Sequence, residues 1–420
     1  MDKLRGKRLL LLGGGTWKDA IKRFADDHGI TLIATGNDKT GGIFEIAEEC
    51  YDVNSIDSFA MRELIKDKNI DGVYMGGSET VISTASCYLN ELGLPCYCNK
   101  WQWEFLQNKA KFKQLCMNSG LPVVPQYNID LNDINDSVPS DAYPVITKPT
   151  DGCGSNGFSV CRNAEELIAG YKKAAADSSS HSVICEKFVK NTGVVVFYTF
   201  SNGNVIFSGL EDKYPVKFEK HGTYVGGLFT FESKFTKEYR SRFDAGVEKM
   251  FQSIGIKEGS AWIEVFHDSE NYYFNEVGFR YGGSISIYPV DYLTGINQVA
   301  ADIYYALTGE SKPYGHTSLI PPNIERNHHY AVYPVYAQDG IICKIEGMEN
   351  LGDNVVFKTI TKPIGYEVKD CGSFNQNVAI VQFVYKDEDD LRMSLDRIHN
   401  NLKILDKHGN NMVLRMLCDV

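Results

Sequence analysis

Trp262-Ile263-Glu264-Val265-Phe266-His267-Asp268-Ser269-Glu270-Asn271-Tyr272-Tyr273-Phe274-Asn275-Glu276-Val277 is the stretch on which the reading of this chain turns. Two runs of β-branched and aromatic residues flank a short polar segment, the pattern of a β-hairpin. A turn centred on Glu270 sets Glu264 and Glu276 directly opposite each other on one face. Alternation puts Trp262, Phe266 and Phe274 on that face and Ile263, Val265 and Val277 on the other, so both faces are largely apolar. Like charges directly opposite on a sheet repel, and buried charges are costly unless paired or metal-bound. A divalent cation resolves the conflict, and an oxygen-only ligand set selects Mg2+ or Mn2+ over zinc. The bland alternative is a carboxylate pair satisfied by a shared proton or by basic neighbours. Arg280 lies four residues beyond Glu276 and points the same way if the strand continues, so an anion belongs beside it.

Upstream, a second cluster runs Pro144-Val145-Ile146-Thr147-Lys148-Pro149-Thr150-Asp151-Gly152-Cys153-Gly154-Ser155-Asn156-Gly157. Lys148 closes a predicted strand, and the backbone amides around Gly152, Gly154, Ser155 and Gly157 suit a polyphosphate. Taken alone the same residues describe an ordinary surface loop. No GxxxxGK[ST] occurs, and Gly13-Gly14-Gly15 lacks the GxGxxG spacing, which argues against a P-loop protein and a Rossmann dehydrogenase.

Further out, the first hundred residues alternate strand and helix. Strands are expected at Arg8 to Leu12, Ile30 to Thr35 and Gly72 to Met75, with helices at Lys18 to His28 and Thr80 to Leu92, as in an open parallel βα sheet. Gly76-Gly77-Ser78-Glu79 sits where such sheets bind small molecules, or simply caps the following helix. One polar helix is predicted over Glu104 to Asn118, a hairpin over Gly193 to Gly209 turning at Asn202-Gly203, and a β-rich tail from Ala331 to Tyr385 closed by a helix over Glu388 to Leu402. The fold class is therefore α/β and α+β. The expected units are 1–98, 99–318 with a small lobe over about 122–188, and 319–420.

Composition bounds the function. The 420 residues exceed what one core serves. A hydrophobic fraction of 43% with 23% charged residues is that of a globular chain, and no apolar run approaches the roughly 20 residues a membrane span needs. A net charge of −11 opposes binding to nucleic acid or an anionic membrane. Eleven cysteines without CxxC pairs fit a reducing compartment, so the cytoplasm is expected.

Together these pieces resemble the ATP-grasp superfamily from about residue 7 to residue 310. The elements that carry the resemblance are Lys109 in Asn108-Lys109-Ala110-Lys111-Phe112, Lys148 before the Gly-rich loop, Glu186-Lys187-Phe188-Val189, and then Glu264, Glu276 and Arg280. The resemblance implies that Lys109 and Lys148 contact nucleotide phosphates, that the backbone of Glu186, Lys187, Phe188 and Val189 reads adenine, and that Glu264 and Glu276 hold Mg2+ (or Mn2+). Two positions depart from the family pattern. Gly278 stands where many members have a metal-binding asparagine, and Gly193 where many have an acidic residue for the ribose.

Within the superfamily the chain looks most like carboxylate-amine ligases of the L-amino-acid ligase type, with a biotin-carboxylase-like C-terminal lobe. The resemblance implies ATP-dependent activation of a small carboxylic acid as an acyl phosphate, followed by attack of an amine. Lys148 and Arg280 then serve the chemistry, Arg280 beside the tetrahedral oxyanion. Partners would be the small-molecule substrates and, as in similar ligases, a second copy of the chain. A purine-type ribosylamine-glycine ligase is the alternative of the same class. An ATP-binding regulatory protein without turnover is the alternative of another, motivated by Gly278 and Gly193.

Overall fold

The computed structural model describes residues 3–37, 42–131, 133–150, 157–189, 193–268, 270–312 and 318–415. Four short strands open the chain: β1 (Arg8–Leu11), β2 (Thr31–Thr35), β3 (Glu49–Tyr51) and β4 (Gly72–Tyr74). They form a parallel sheet in the order β3-β2-β1-β4. Leu9, Leu10 and Leu11 are fully buried, as expected of a strand covered on both faces. The helices α1 (Lys18–His28) and α2 (Ser58–Asp67) supply the crossovers, and α3 (Glu79–Leu92) starts just past β4.

The single helix expected over Glu104 to Asn118 is two: α4 (Lys100–Gln107) and α5 (Lys109–Asn118). Asn108 leaves the helical region at φ −82° and ψ 110°, and its side chain accepts a bond from the Lys111 amide. An asparagine that caps a new helix in this way competes with continuation of the old one. The break re-aims Lys109, with consequences for the site.

A small antiparallel sheet follows, in the order β5-β8-β6-β7, from β5 (Gln126–Tyr127), β6 (Val145–Pro149), β7 (Ser159–Cys161) and β8 (Val183–Lys187). The short α6 (Ile134–Ser137) and the longer α7 (Ala164–Asp177) pack against it. Its core is its own: Val138, Val145, Cys161, Leu167 and Cys185.

The rest is organised by one eight-stranded sheet. Its first five strands are β9 (Val194–Ser201), β10 (Asn204–Phe218), β11 (Thr223–Phe231), β12 (Gly259–His267) and β13 (Tyr272–Gly278), with α8 (Thr236–Ser253) between β11 and β12. After α9 (Ile287–Thr294) and α10 (Gln298–Thr308) come β14 (His329–Tyr336), the short ribbon strands β15 (Gly340–Ile341) and β16 (Lys344–Glu346), and β17 (Val355–Ile360). Then follow β18 (Glu367–Val368), β19 (Asn377–Tyr385), α11 (Glu388–Asn401) and β20 (Lys403–Leu405). The order β13-β12-β9-β10-β11-β14-β19-β17 makes the C-terminal strands a continuation of the central sheet.

The joint between them is β11, which pairs Phe229 with Val332 and which the sequence pattern does not announce. Gly226 within it is required by packing, because a Cβ there would sit 2.2 Å from the Phe229 ring. The turn at Asn202-Gly203 forms as expected, with positive φ at both residues.

The β12–β13 hairpin carries a bulge. His267 pairs with Tyr272 and Val265 with Phe274, yet Glu264 pairs with Glu276, so Asn275 is the extra residue. Glu264 and Glu276 therefore face each other as expected, but Phe274 does not join them. It is fully buried among Ile263, Val265 and Val277 in the core on the opposite face.

The N-terminal sheet docks on α10 by close backbone approach. A Cβ on Gly72 would lie 2.3 Å from the Ala306 carbonyl oxygen. Gly72→Ala is expected to force β4 and α10 apart and to cost about 1–3 kcal/mol, as overpacking does. A urea denaturation midpoint indistinguishable from that of the unaltered protein would show that this contact yields freely.

Candidate active site

Glu264 stands on β12 and Glu276 on the edge strand β13 of the large sheet, and both line a cavity of about 630 Å3 together with Glu211, Lys213, Trp262, Arg280 and Ser284. Two opposed carboxylates at this depth need cations, and in this structure lysines from separate elements supply them. Lys213 of β10 approaches Glu264 at 3.4 Å, and Lys109 of α5 approaches Glu276 at 3.2 Å. Burial works against the Glu264 carboxylate, but Lys213, the Asn275 amide and Lys148 hold it below the usual carboxylate range. Glu264 in turn raises the Lys213 ammonium above its ordinary value.

The bulge places Asn275 inside this group. Its Nδ2 donates to Glu264 Oε2 at 2.8 Å, and its Oδ1 accepts from Lys148 Nζ at 2.9 Å. Asn275 thus supplies an amide oxygen one residue before the second carboxylate. Gly278 is a glycine for steric reasons: a Cβ there would lie 2.2 Å from Trp262 Nε1. The donors gathered are two carboxylates and an amide oxygen, a hard set that fits Mg2+ with phosphate and water completing the shell. Among the described residues no cluster of three His, Cys, Asp or Glu exists that would hold a metal on its own.

Lys148 is shared with a second, deeper group. Its ammonium and that of Lys113 both contact the Glu186 carboxylate. Lys113 is 0% and Glu186 1% exposed. Burial and the neighbouring Lys148 push the Lys113 ammonium down to about 8 against the pull of Glu186. Burial also opposes the Glu186 charge, yet Lys148 and Lys113 together hold its carboxyl below the ordinary range. Two cations on one anion leave an excess positive charge facing outward at Lys148, where a polyphosphate is favourable.

Nothing in the sequence marks Lys113 as a site residue, since it is one of three alternating lysines on a polar helix. The split of the helix at Asn108 turns it inward.

The segment after Glu186 is partly engaged. The Lys187 amide donates to the Pro125 carbonyl at 3.0 Å and the Phe188 amide to the Pro144 carbonyl at 3.1 Å, while the Val189 amide carries no such bond among the described residues. Gly157 is packed with a positive φ of 70° beside Asp177 and Pro149. Gly152, Gly154 and Ser155 lie outside the described residues.

β13 ends at Gly278, but Arg280 still reaches the same cavity. Its guanidinium lies 5.3 Å from the Trp262 ring centroid, donates to Glu79 Oε1 at 2.6 and 3.1 Å, and donates to the Tyr281 carbonyl at 2.8 Å. Ser78 makes no side-chain cap bond, so the loop Gly76 to Glu79 is more than a helix cap. Glu79 ties it to Arg280. A second chamber of about 380 Å3 adjoins the first, lined by Gly14, Thr16, Ser78, Arg280, Lys362 and Asn375 among others.

This geometry coincides with a family match. Residues 108–307 match the carbamoyl-phosphate synthase L chain ATP-binding domain. The 2-oxoglutarate carboxylase small subunit of Hydrogenobacter thermophilus is 25% identical over 335 residues, covering 74% of this chain and 69% of that one. In fold, the chain superposes on phosphoribosylglycinamide synthetase from Anaerococcus prevotii with a TM-score of 0.75 at 19% identity, covering 96% of this chain and 100% of that one. L-amino acid ligase from Bacillus licheniformis gives a TM-score of 0.74 at 20% identity, covering 96% and 99%.

Glu186→Gln removes the anion that two buried ammoniums share. The expected cost is about 3–5 kcal/mol of stability, the scale of breaking a buried pair, together with weakened ATP binding. Chemical denaturation and calorimetry with ATP measure the two effects, and an unchanged midpoint would contradict the assignment of Glu186 as the counter-ion of both lysines.

Proposed function

The chain carries an ATP-grasp domain, and from that premise we propose that it is an ATP-dependent ligase that activates a small carboxylic acid as an acyl phosphate and joins it to an amine, releasing ADP and phosphate. The observation that carries this reading is the pair of opposed carboxylates, Glu264 and Glu276, lining one cavity with Lys213 and answered from beside it by Lys109 and, through Asn275, Lys148. A site so built holds charge that changes hands between anions.

In this reading Lys148 and Lys109 bind the nucleotide phosphates, Glu186 to Val189 lie along the base, and Glu264 and Glu276 hold Mg2+, with Asn275 beside them. The ion, when bound, neutralises the phosphates and aligns the γ-phosphoryl group for in-line transfer. The substrate carboxylate attacks that group while Lys148 offsets charge on the transferring oxygens. Arg280, held by Glu79 and stacked over Trp262, stabilises the oxyanion that forms when the amine adds to the acyl carbon. No protein nucleophile is required.

Three units serve the reaction in this proposal: residues 1–98 line the second chamber, 99–318 hold the nucleotide with a small mobile lobe over about 122–188, and 319–420 close the cavity from the far edge of the sheet. The separate core of the small sheet supports a lobe that moves as a body. Cysteines that are free among the described residues fit a cytoplasmic location, and no helix among those residues is long and apolar enough to cross a membrane. A homodimer is included on the same family resemblance. A purine-type ligase is the second reading, favoured by the chamber at Gly14, Thr16 and Ser78, where Lys362 suits an anionic group on the acceptor.

ADP and phosphate release from Mg-ATP against a panel of amino acids, dipeptides and small carboxylates tests the proposal. Turnover with one acid and amine pair is expected, falling by about 100-fold or more in Glu276→Ala, the scale of losing one preorganised electrostatic contact. ATP binding without turnover on any acid would favour an ATP-binding regulatory protein instead.

A further inference from the structure

Glu211 is a carboxyl group that the reading above does not use. It sits on β10 opposite Val195 of β9, and Val195 in turn lies opposite Glu264 of β12, which lies opposite Glu276 of β13. Glu211, Val195, Glu264 and Glu276 therefore form one lateral row across four strands and share a face. With neighbouring strands about 4.8 Å apart, Glu211 stands about 10 Å from Glu264 along the sheet. It lines the same cavity, yet it is only 2% exposed.

Its surroundings differ from those of the other two. Each of those has a lysine at 3.4 Å or closer. Among the described residues Glu211 has the Ser284 hydroxyl, 3.2 Å away, as its side-chain hydrogen-bond donor. The charged groups around it are Lys213 two residues along its own strand, Asp212 on the opposite face of that strand, where Ser233 Oγ donates to it, and Arg280, Glu264 and Glu276 across the cavity. Lys213 is committed to Glu264. Burial pushes the Glu211 carboxyl up to about 8, with Ser284 and Lys213 opposing.

Ser284 is itself held in place from the far side of the molecule. Gln382 of β19 donates to the carbonyls of Ser284 and Ile285 at 3.0 and 3.2 Å, and Ile285 keeps a positive φ of 58°. Among the described residues no cation is dedicated to this buried acid, which a positioned hydroxyl supports, and it faces a cavity through which a cation can reach it.

We propose that Glu211 binds the amine substrate in its ammonium form and takes the proton that frees its lone pair. This rests on the ligase reading and deepens it: the acyl phosphate occupies the side of the cavity nearest Glu264 and Glu276, and the amine the side nearest Glu211. The ammonium gives one proton to a Glu211 carboxylate oxygen. The nitrogen lone pair then adds to the acyl carbon to give the oxyanion beside Arg280, and as the carbonyl re-forms the C–O bond to the phosphoryl group breaks. Inorganic phosphate departs with that electron pair and accepts the second proton shed by nitrogen. A general base whose pKa lies near the working pH suits this transfer.

Hydroxylamine separates the two half-reactions, because its nitrogen is uncharged at neutral pH and attacks an acyl phosphate without a protein base. With the acid identified in the panel above, Glu211→Gln is expected to form the hydroxamate within about twofold of the unaltered protein while coupling of the amine falls by about 100-fold or more. Ser284→Ala, which removes only the supporting hydroxyl, is expected to lower amine coupling by a smaller factor and to leave hydroxamate formation alone; it decides the matter if Glu211→Gln does not fold. Loss of both rates together, or of neither, in a folded variant would overturn the role of Glu211. Failure of the unaltered protein to give hydroxamate with any acid would overturn the ligase reading itself.

Discussion

Two carboxylates held opposite each other on adjacent strands repel, and the molecule is arranged around answering that repulsion. Glu264 and Glu276 cannot separate without breaking the β12–β13 register, so compensation has to come from elsewhere in the chain. It comes from three directions. Lys109 arrives at the start of α5, Lys148 from the small sheet through Asn275, and Lys213 from two strands away in the same sheet. Each cation stands on a different element, so the electrostatic requirement of one hairpin is met jointly by α5, the small sheet and β10.

The same requirement explains the deeper triad. Lys148 donates to Asn275 and contacts the buried Glu186 carboxylate, an anion that it shares with Lys113. The arrangement carries a net positive charge into a chain of net charge −11, which concentrates the attraction for a polyanion at one place.

Much of this was legible in the residues. The parallel βα opening, the Asn202-Gly203 hairpin and the pairing of Glu264 with Glu276 follow from alternation and turn chemistry, which act over a few neighbouring residues. What escaped was set by distant contacts. The bulge that inserts Asn275 beside Glu264 and sends Phe274 to the opposite core depends on which face packs better, and hairpin symmetry alone is silent on that. The strand β11 has no turn or alternation signal of its own that marks it as the joint, and its Gly226 makes room for Phe229. Lys113 looked like one of several solvated lysines until Asn108 broke the helix.

Residue types and their spacing by themselves set Glu264 opposite Glu276 on a hairpin in an α/β framework, with Arg280 expected on the same side, whereas Lys109 entered only through the family resemblance. The sequence offers no apolar run of the roughly 20 residues that a membrane-spanning helix needs, and its net charge of −11 opposes nucleic acid. Only the tertiary structure decided that Lys113 and Glu186 are buried partners, that Glu79 secures Arg280 from 201 residues away, and that Glu211 completes a row of carboxylates. The division has a physical cause. Hydrophobic period and turn propensity are local properties of the chain, whereas the protonation and partner of a buried charge depend on every group brought within a few ångströms of it, whatever its place in the sequence.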